Sequence, residues 1–213
     1  MIKGIIFDLD GTLLDTSKDI ATAVNKTMDK YNLNNFSNEE VIQKVGNGMM
    51  KLIDRCLPEY KKDLLPEAFE VFCNNYEKCY LDETTAYEGI NEVLLELNKR
   101  NILIGVNTNK QNEFCEKLLS SRFPEVKFFK IIGNRKGVPG KPDPYSSLEI
   151  VSDMGFKNEE VLYVGDSDTD ILTAKNTNLK SIGCLWGFRN RETLEKQEAD
   201  YIISKPEEIL NYI

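Results

Sequence analysis

The run Ile2-Lys3-Gly4-Ile5-Ile6-Phe7 passes without a break into Asp8-Leu9-Asp10-Gly11-Thr12, so an apolar strand ends on two carboxylates. Few features constrain a chain more. Side chains alternate faces with period two, so residues two apart leave a strand on the same side. Two like charges there repel each other unless a cation or a proton compensates them. Gly11 then permits a sharp turn and a close approach of backbone to a ligand. A buried strand that ends in charge before a glycine turn reads as a site.

After Leu14 the pattern becomes helical. Ile20, Val24, Met28 and Tyr31 form one apolar stripe, and Val41 with Val45 begins a second. Met49, Leu52, Ile53 and Leu57 follow Gly46-Asn47-Gly48, which reads as a helix-helix turn. Ala68, Phe72, Asn75 and Cys79 mark a fourth helix, so residues 15–85 read as helices only. From Tyr87 onward strands and helices alternate. Strands are expected near residues 102–106, 128–132, 161–164, 181–185 and 201–203. Helices fall between them, near residues 93–97, 114–119, 145–154 and 171–175, with a last helix at 206–212. Such alternation implies a parallel sheet covered on both faces, and the first strand must join it. The expected fold is α/β: a Rossmann-like core from residues 1–14 and 86–213, with an all-helical domain at 15–85 inserted after the first strand.

Composition excludes several chemistries. The 213 residues contain no histidine, which rules out a Ser-His-Asp triad, a His-ligated zinc and an imidazole acid or base. The net charge of −8 argues against nucleic acid and anionic membrane surfaces as partners. No apolar run approaches a membrane span, and Met1-Ile2-Lys3 leads into a strand rather than a signal peptide. Five cysteines, none in a Cys-x-x-Cys pair, read as reduced core thiols of a cytoplasmic protein.

Polar clusters close or follow four of the strands. They are Asp8 and Asp10; Asn107-Thr108-Asn109-Lys110; Gly140-Lys141-Pro142-Asp143-Pro144; and Gly165-Asp166-Ser167-Asp168-Thr169-Asp170. In an open parallel sheet, ligands bind beyond the carboxyl ends of the strands, so the four clusters converge. Asp8, Asp10, Asp166 and Asp170 together need a divalent cation, and all-oxygen ligation favours magnesium. Magnesium commonly takes a substrate phosphate as a ligand. Lys141 adds a positive charge on a Pro-flanked turn, while Thr108 and Asn109 offer a hydroxyl and an amide to phosphate oxygens. Asp168 is expected to cap the helix that follows it, and Asp143-Pro144 to open another.

These residues resemble the haloacid-dehalogenase superfamily of magnesium-dependent phosphotransferases. Asp-x-Asp-Gly-Thr, the hydroxyl after the second strand, the Lys-Pro-Asp-Pro lysine and Gly-Asp-x-x-x-Asp occur in the family's order, over the whole chain. The resemblance implies that Asp8 is the nucleophile and that residues 15–85 are a cap. Asp10 is then the acid that protonates the leaving alcohol and later the base that activates water. Asp166 and Asp170 join Asp8 and the Asp10 backbone carbonyl around the metal, with Asp170 bound directly or through water. Gly11, Thr108, Asn109 and Lys141 hold the substrate phosphate.

Within the superfamily, Val106-Asn107-Thr108-Asn109-Lys110, Gly137-Val138-Pro139 and Trp186-Gly187-Phe188-Arg189 resemble phosphoglycolate-phosphatase-type members. Phosphosugar mutase relatives carry a histidine where this chain has Ile20, which favours hydrolysis. The expected partner is a small phosphorylated metabolite, with 2-phosphoglycolate the first candidate, acted on by a monomer or homodimer. The rivals are another phosphate substrate (a nucleotide, a sugar phosphate or pyrophosphate) and a phosphometabolite-binding regulator without turnover.

Overall fold

The computed structural model describes residues 1–213. They form two compact units, Met1–Leu14 with Ala86–Ile213, and Asp15–Thr85. In chain order the first unit opens with β1 (Gly4–Phe7), and β2 (Leu14–Asp15) spans the first boundary. The second unit contains α1 (Ser17–Lys30), α2 (Asn38–Lys44), α3 (Met49–Cys56) and α4 (Leu65–Glu77). The chain then continues through β3 (Thr85–Ala86), α5 (Ile90–Lys99), β4 (Leu103–Gln111), α6 (Asn112–Arg122), β5 (Lys130–Asn134) and α7 (Tyr145–Met154). It ends with β6 (Val161–Gly165), α8 (Asp168–Asn176), β7 (Lys180–Cys184), α9 (Arg191–Lys196) and β8 (Tyr201–Ile203). The expected last helix, Pro206–Tyr212, is a 3-10 helix.

Six strands build one parallel sheet in the order β5-β4-β1-β6-β7-β8. β1 lies inside it, with Phe7 level with Val106 on one side and Val164 on the other. Every residue of β1 and β6 is buried. Because alternate residues face opposite ways, both faces of these strands are covered. On one face Ile6, Ile132, Ile150, Val151, Met154, Val161 and Tyr163 form a continuous core. Gly105 admits α7 to that face, since a Cβ there would stand 2.7 Å from Ile150 Cγ2. Connections from β1 run to β4, whereas those from β6 run to β7 on the other side. The crevice for a ligand therefore opens at the carboxyl ends of β1 and β6.

Three local expectations need correcting. The two-residue strands β2 and β3 pair in a separate sheet, at the ends of a segment that reads as helical throughout; they are too short to show a period. Residues 107–111 continue β4 instead of following it. Their pairing with β5 jumps from Asn107↔Ile132 to Gln111↔Asn134, a bulge that re-aims side chains beside a site. β5 itself begins at Lys130, not Phe128, whose ring packs edge-on against Phe123 with centroids 6.2 Å apart.

In the helical unit, Ile20, Val24 and Met28 form the buried stripe of α1. Asp19 on the same helix is buried too, where its carboxylate accepts the backbone N–H groups of Glu83 and Thr84, at 2.8 Å from the latter. Ser37 and Glu40 form a reciprocal cap on α2.

Burial ranks the expected effects of mutation. Ile6→Ala, in the wholly buried core, should cost about 2–5 kcal/mol. Lys180→Ala removes only a surface pair to Asp200 and should cost no more than about 1 kcal/mol. Urea unfolding of the two variants measures the difference.

Candidate active site

β1 delivers Asp8 to the sheet's carboxyl edge, where its backbone N–H donates to Val164 O at 2.9 Å. β6 delivers Asp166, and the first turn of α8 delivers Asp170, both buried. Ligand oxygens of Asp8, Asp166 and Asp170 all lie within 4.8 Å of one another. Lys141 Nζ stands 2.7 Å from Asp8 Oδ1 and 2.6 Å from Asp170 Oδ1. One ammonium group thus bridges two of the three carboxylates.

The remaining oxygens of Asp166 and Asp170 are held by neutral donors. Asp166 Oδ1 accepts from the Thr12 hydroxyl at 3.0 Å, and Oδ2 accepts from Phe188 N–H at 2.7 Å. Asp170 Oδ2 accepts from the Ser167 hydroxyl at 2.6 Å and from its N–H at 3.0 Å. Ser167, in extended conformation, is thus the cap of α8. Asp168, expected in that role, is instead the first helical residue. Asp143 does serve the start of α7 by accepting from Tyr145 N–H at 2.9 Å, although helical geometry begins one residue later than expected.

Close backbone approach makes this clustering possible. Gly11 has φ +89°, and a Cβ there would stand 2.5 Å from Asp166 Oδ2. A Cβ on Gly187 would stand 2.2 Å from Gly11 O. Trp186 Nε1 donates to Thr12 O at 3.0 Å, so the loop after β7 clamps the loop after β1. The order Trp186-Gly187-Phe188 reads as a family likeness in sequence; its contribution to holding Asp166 emerges only in three dimensions.

Thr108 and Asn109 are buried in the bulged part of β4. Asn109 Nδ2 donates to Lys141 O at 3.1 Å, so this amide also fixes the lysine's loop. Asp10 is not one of the three clustered carboxylates, although its charge also bears on Asp8. Both its oxygens face Lys110 Nζ, at 2.9 and 3.2 Å. Sequence reasoning places Lys110 in a polar cluster but assigns it no task. A lysine two residues beyond Thr108 was the available signal.

The electrostatics follow from crowding. Burial, then the charge of Asp170, push the Asp8 carboxyl up to about 7 despite Lys141. Burial, Asp170 and Asp8 push Asp166 up to about 8, against hydrogen bonds from Phe188 and Thr12. Burial alone would lower Lys141; Asp170 and Asp8 outweigh it and hold the ammonium well above its ordinary value. A hard divalent cation suits this donor set, because it supplies the charge that one lysine cannot. Asp8, Asp166 and Asp170 would hold it.

Asp8 binds a proton more tightly folded than unfolded, so its contribution to stability falls as pH rises from about 4 to about 7. Asparagine carries no charge at either pH. Without divalent cations, Asp8→Asn should therefore melt several degrees above the wild type at pH 8, with the gap narrowing at pH 5. Melting curves at the two pH values test this; a pH-independent gap would contradict it.

Known proteins resemble the chain throughout. The family model for haloacid dehalogenase-like hydrolases matches residues 5–184. A protein of Aquifex aeolicus named phosphoglycolate phosphatase is 31% identical over 209 residues, 98% of this chain and 95% of its own. One of the same name from Vibrio cholerae is 32% identical over 208 residues, covering 94% and 92%. A solved structure from Lactobacillus delbrueckii subsp. bulgaricus superimposes with TM-score 0.93 at 28% identity, covering 99% of this chain and 98% of its own. A haloacid dehalogenase-like hydrolase from Streptococcus pneumoniae gives 0.90 at 25%, covering 99% and 98%. With the parallel sheet and its acidic edge, these likenesses make the chain a member of the haloacid dehalogenase-like hydrolases.

Proposed function

We propose that this hydrolase is a magnesium-dependent phosphomonoesterase acting through an aspartyl-phosphate on Asp8, with 2-phosphoglycolate its first candidate substrate. The observation that carries the reading is the Lys141 ammonium between Asp8 and Asp170, at the mouth of a parallel sheet. A carboxylate attacks a phosphate dianion slowly because like charges repel, so the approach must be neutralised. Bound magnesium would supply Lewis-acid stabilisation of the phosphoryl oxygens. Asp8 Oδ attacks phosphorus, the bond to the leaving oxygen breaks, and Asp10 passes its proton to that oxygen. Water then attacks phosphorus while Asp10 takes its proton, and the bond to Asp8 breaks to release phosphate. Splitting hydrolysis this way lets one acid/base serve both halves.

Thr108 and Lys141 are proposed to hold the transferring phosphoryl group, with Gly11 admitting it close to the backbone and Asn109 bracing the lysine's loop. The helical unit is proposed as the cap that excludes bulk water during transfer. The substrate choice is supported by the relatives at about 30% identity that are named phosphoglycolate phosphatase. Buried thiols at Cys56, Cys79, Cys115 and Cys184, and the lack of any helix long and apolar enough to cross a membrane, fit a protein working in the reducing cytoplasm.

Phosphate release from a panel of 2-phosphoglycolate, sugar phosphates, nucleotides, pyrophosphate and p-nitrophenyl phosphate tests the reading. The expected result is highest kcat/KM on 2-phosphoglycolate, loss of turnover with EDTA and recovery with magnesium. Asp8→Asn should lower kcat more than about a thousandfold. Preference for another phosphate would replace the substrate, and no hydrolysis of any member would favour a binding protein.

A further inference from the structure

Asp10 lies beside the acidic trio but meets a lysine of its own, Lys110. The Lys110 side chain is wholly withdrawn from solvent, and that of Asp10 is 13% exposed. Burying an ammonium costs several kcal/mol unless it is well paired, and an apolar side chain could fill the same space. Lys141 is already shared between Asp8 and Asp170, whereas this second lysine meets a different carboxylate. Its backbone is fixed as well. The β4 bulge presses on β5 at Gly133, where a Cβ would lie 2.7 Å from Lys110 O and 2.6 Å from Asn112 Cα. Lys110 N–H also donates to Thr108 Oγ1 at 3.2 Å. A rigid wall thus carries the cation, and the aspartate it meets lies in the loop after β1.

We propose that Lys110 is a positioning residue for the acid/base, holding both oxygens of Asp10 and pairing with the charge left there when its proton moves. This rests on the function proposed above. In the first half-reaction the electron pair of the breaking P–O bond goes to the leaving oxygen, which takes the proton from Asp10. Asp10 is left as a carboxylate facing the Lys110 ammonium. In the second half-reaction water returns a proton to Asp10. The demand for Asp10 in the first step depends on the leaving group. An alkoxide cannot leave without a proton, whereas p-nitrophenolate leaves as the anion.

Lys110→Met keeps the bulk and removes the charge. It should lower kcat on 2-phosphoglycolate by about a hundredfold or more, the range for general acid/base catalysis, with little change in KM. With p-nitrophenyl phosphate, formation of the aspartyl-phosphate should slow less than about tenfold. Its hydrolysis still needs Asp10, so a pre-steady-state burst of p-nitrophenolate should appear. Asp10→Asn/Lys110→Met should be no slower than Asp10→Asn alone, since the two residues act as a unit. Lys110→Arg keeps the charge and should show the same selectivity in weaker form; it carries the test if the methionine variant does not fold. Equal slowing of aspartyl-phosphate formation from both substrates, with no burst of p-nitrophenolate, or additive losses in the double variant, would overturn the assignment. If Asp8→Asn stays active, the proposed function itself fails; if it is inactive while Lys110→Met slows aspartyl-phosphate formation equally from both substrates, only the Lys110 inference fails.

Discussion

One ammonium group between two buried carboxylates holds this site together. Lys141 Nζ lies within 2.7 Å of both Asp8 and Asp170, in a place where neither charge could stand alone. Asp166 completes the trio with no lysine of its own and leans on the Thr12 hydroxyl and the Phe188 N–H. Burial first, and then the charge of Asp170, raises both Asp8 and Asp166. A fold that keeps three carboxylates this close holds electrostatic strain that a bound cation can relieve.

The geometry that permits such crowding is set by backbone as much as by side chains. Gly11, Gly165 and Gly187 sit where any Cβ would run into Asp166, Asp170 or Gly11 itself. Loops after β1, β6 and β7 can therefore close on one another at the carboxyl end of the sheet. The β4 bulge adds a fourth wall, bringing in Asn109 to brace the Lys141 loop and Lys110 to meet Asp10. The core beneath is apolar and wholly buried in β1 and β6, so the charged edge rests on a rigid support.

Much of this was legible in the residues. Asp8 and Asp10 announce themselves because charge directly after Ile5-Ile6-Phe7 conflicts with burial, and Asp166 repeats the signal after Val161-Leu162-Tyr163-Val164. Lys141 between glycine and proline was equally visible. Less so were the roles of neighbours. Ser167, rather than Asp168, caps α8, a choice made by the extended backbone at Ser167 and by Asp170 reaching back to it. Asn107-Thr108-Asn109-Lys110 reads as a polar cluster closing a strand, yet these residues continue it. Pairing with β5 and burial at the sheet edge override composition there.

Period and polarity along the chain determined the α/β alternation, the helical block between the first two long strands and the chemical class of the edge, because these depend on neighbours in sequence. Which carboxylate meets which lysine was decided only by the tertiary structure. Lys141 and Lys110 are both basic residues near acidic ones in any linear reading. Strand order and one bulge send the first to Asp8 and Asp170 and the second to Asp10, and Coulomb energy depends on distances that only the folded sheet sets.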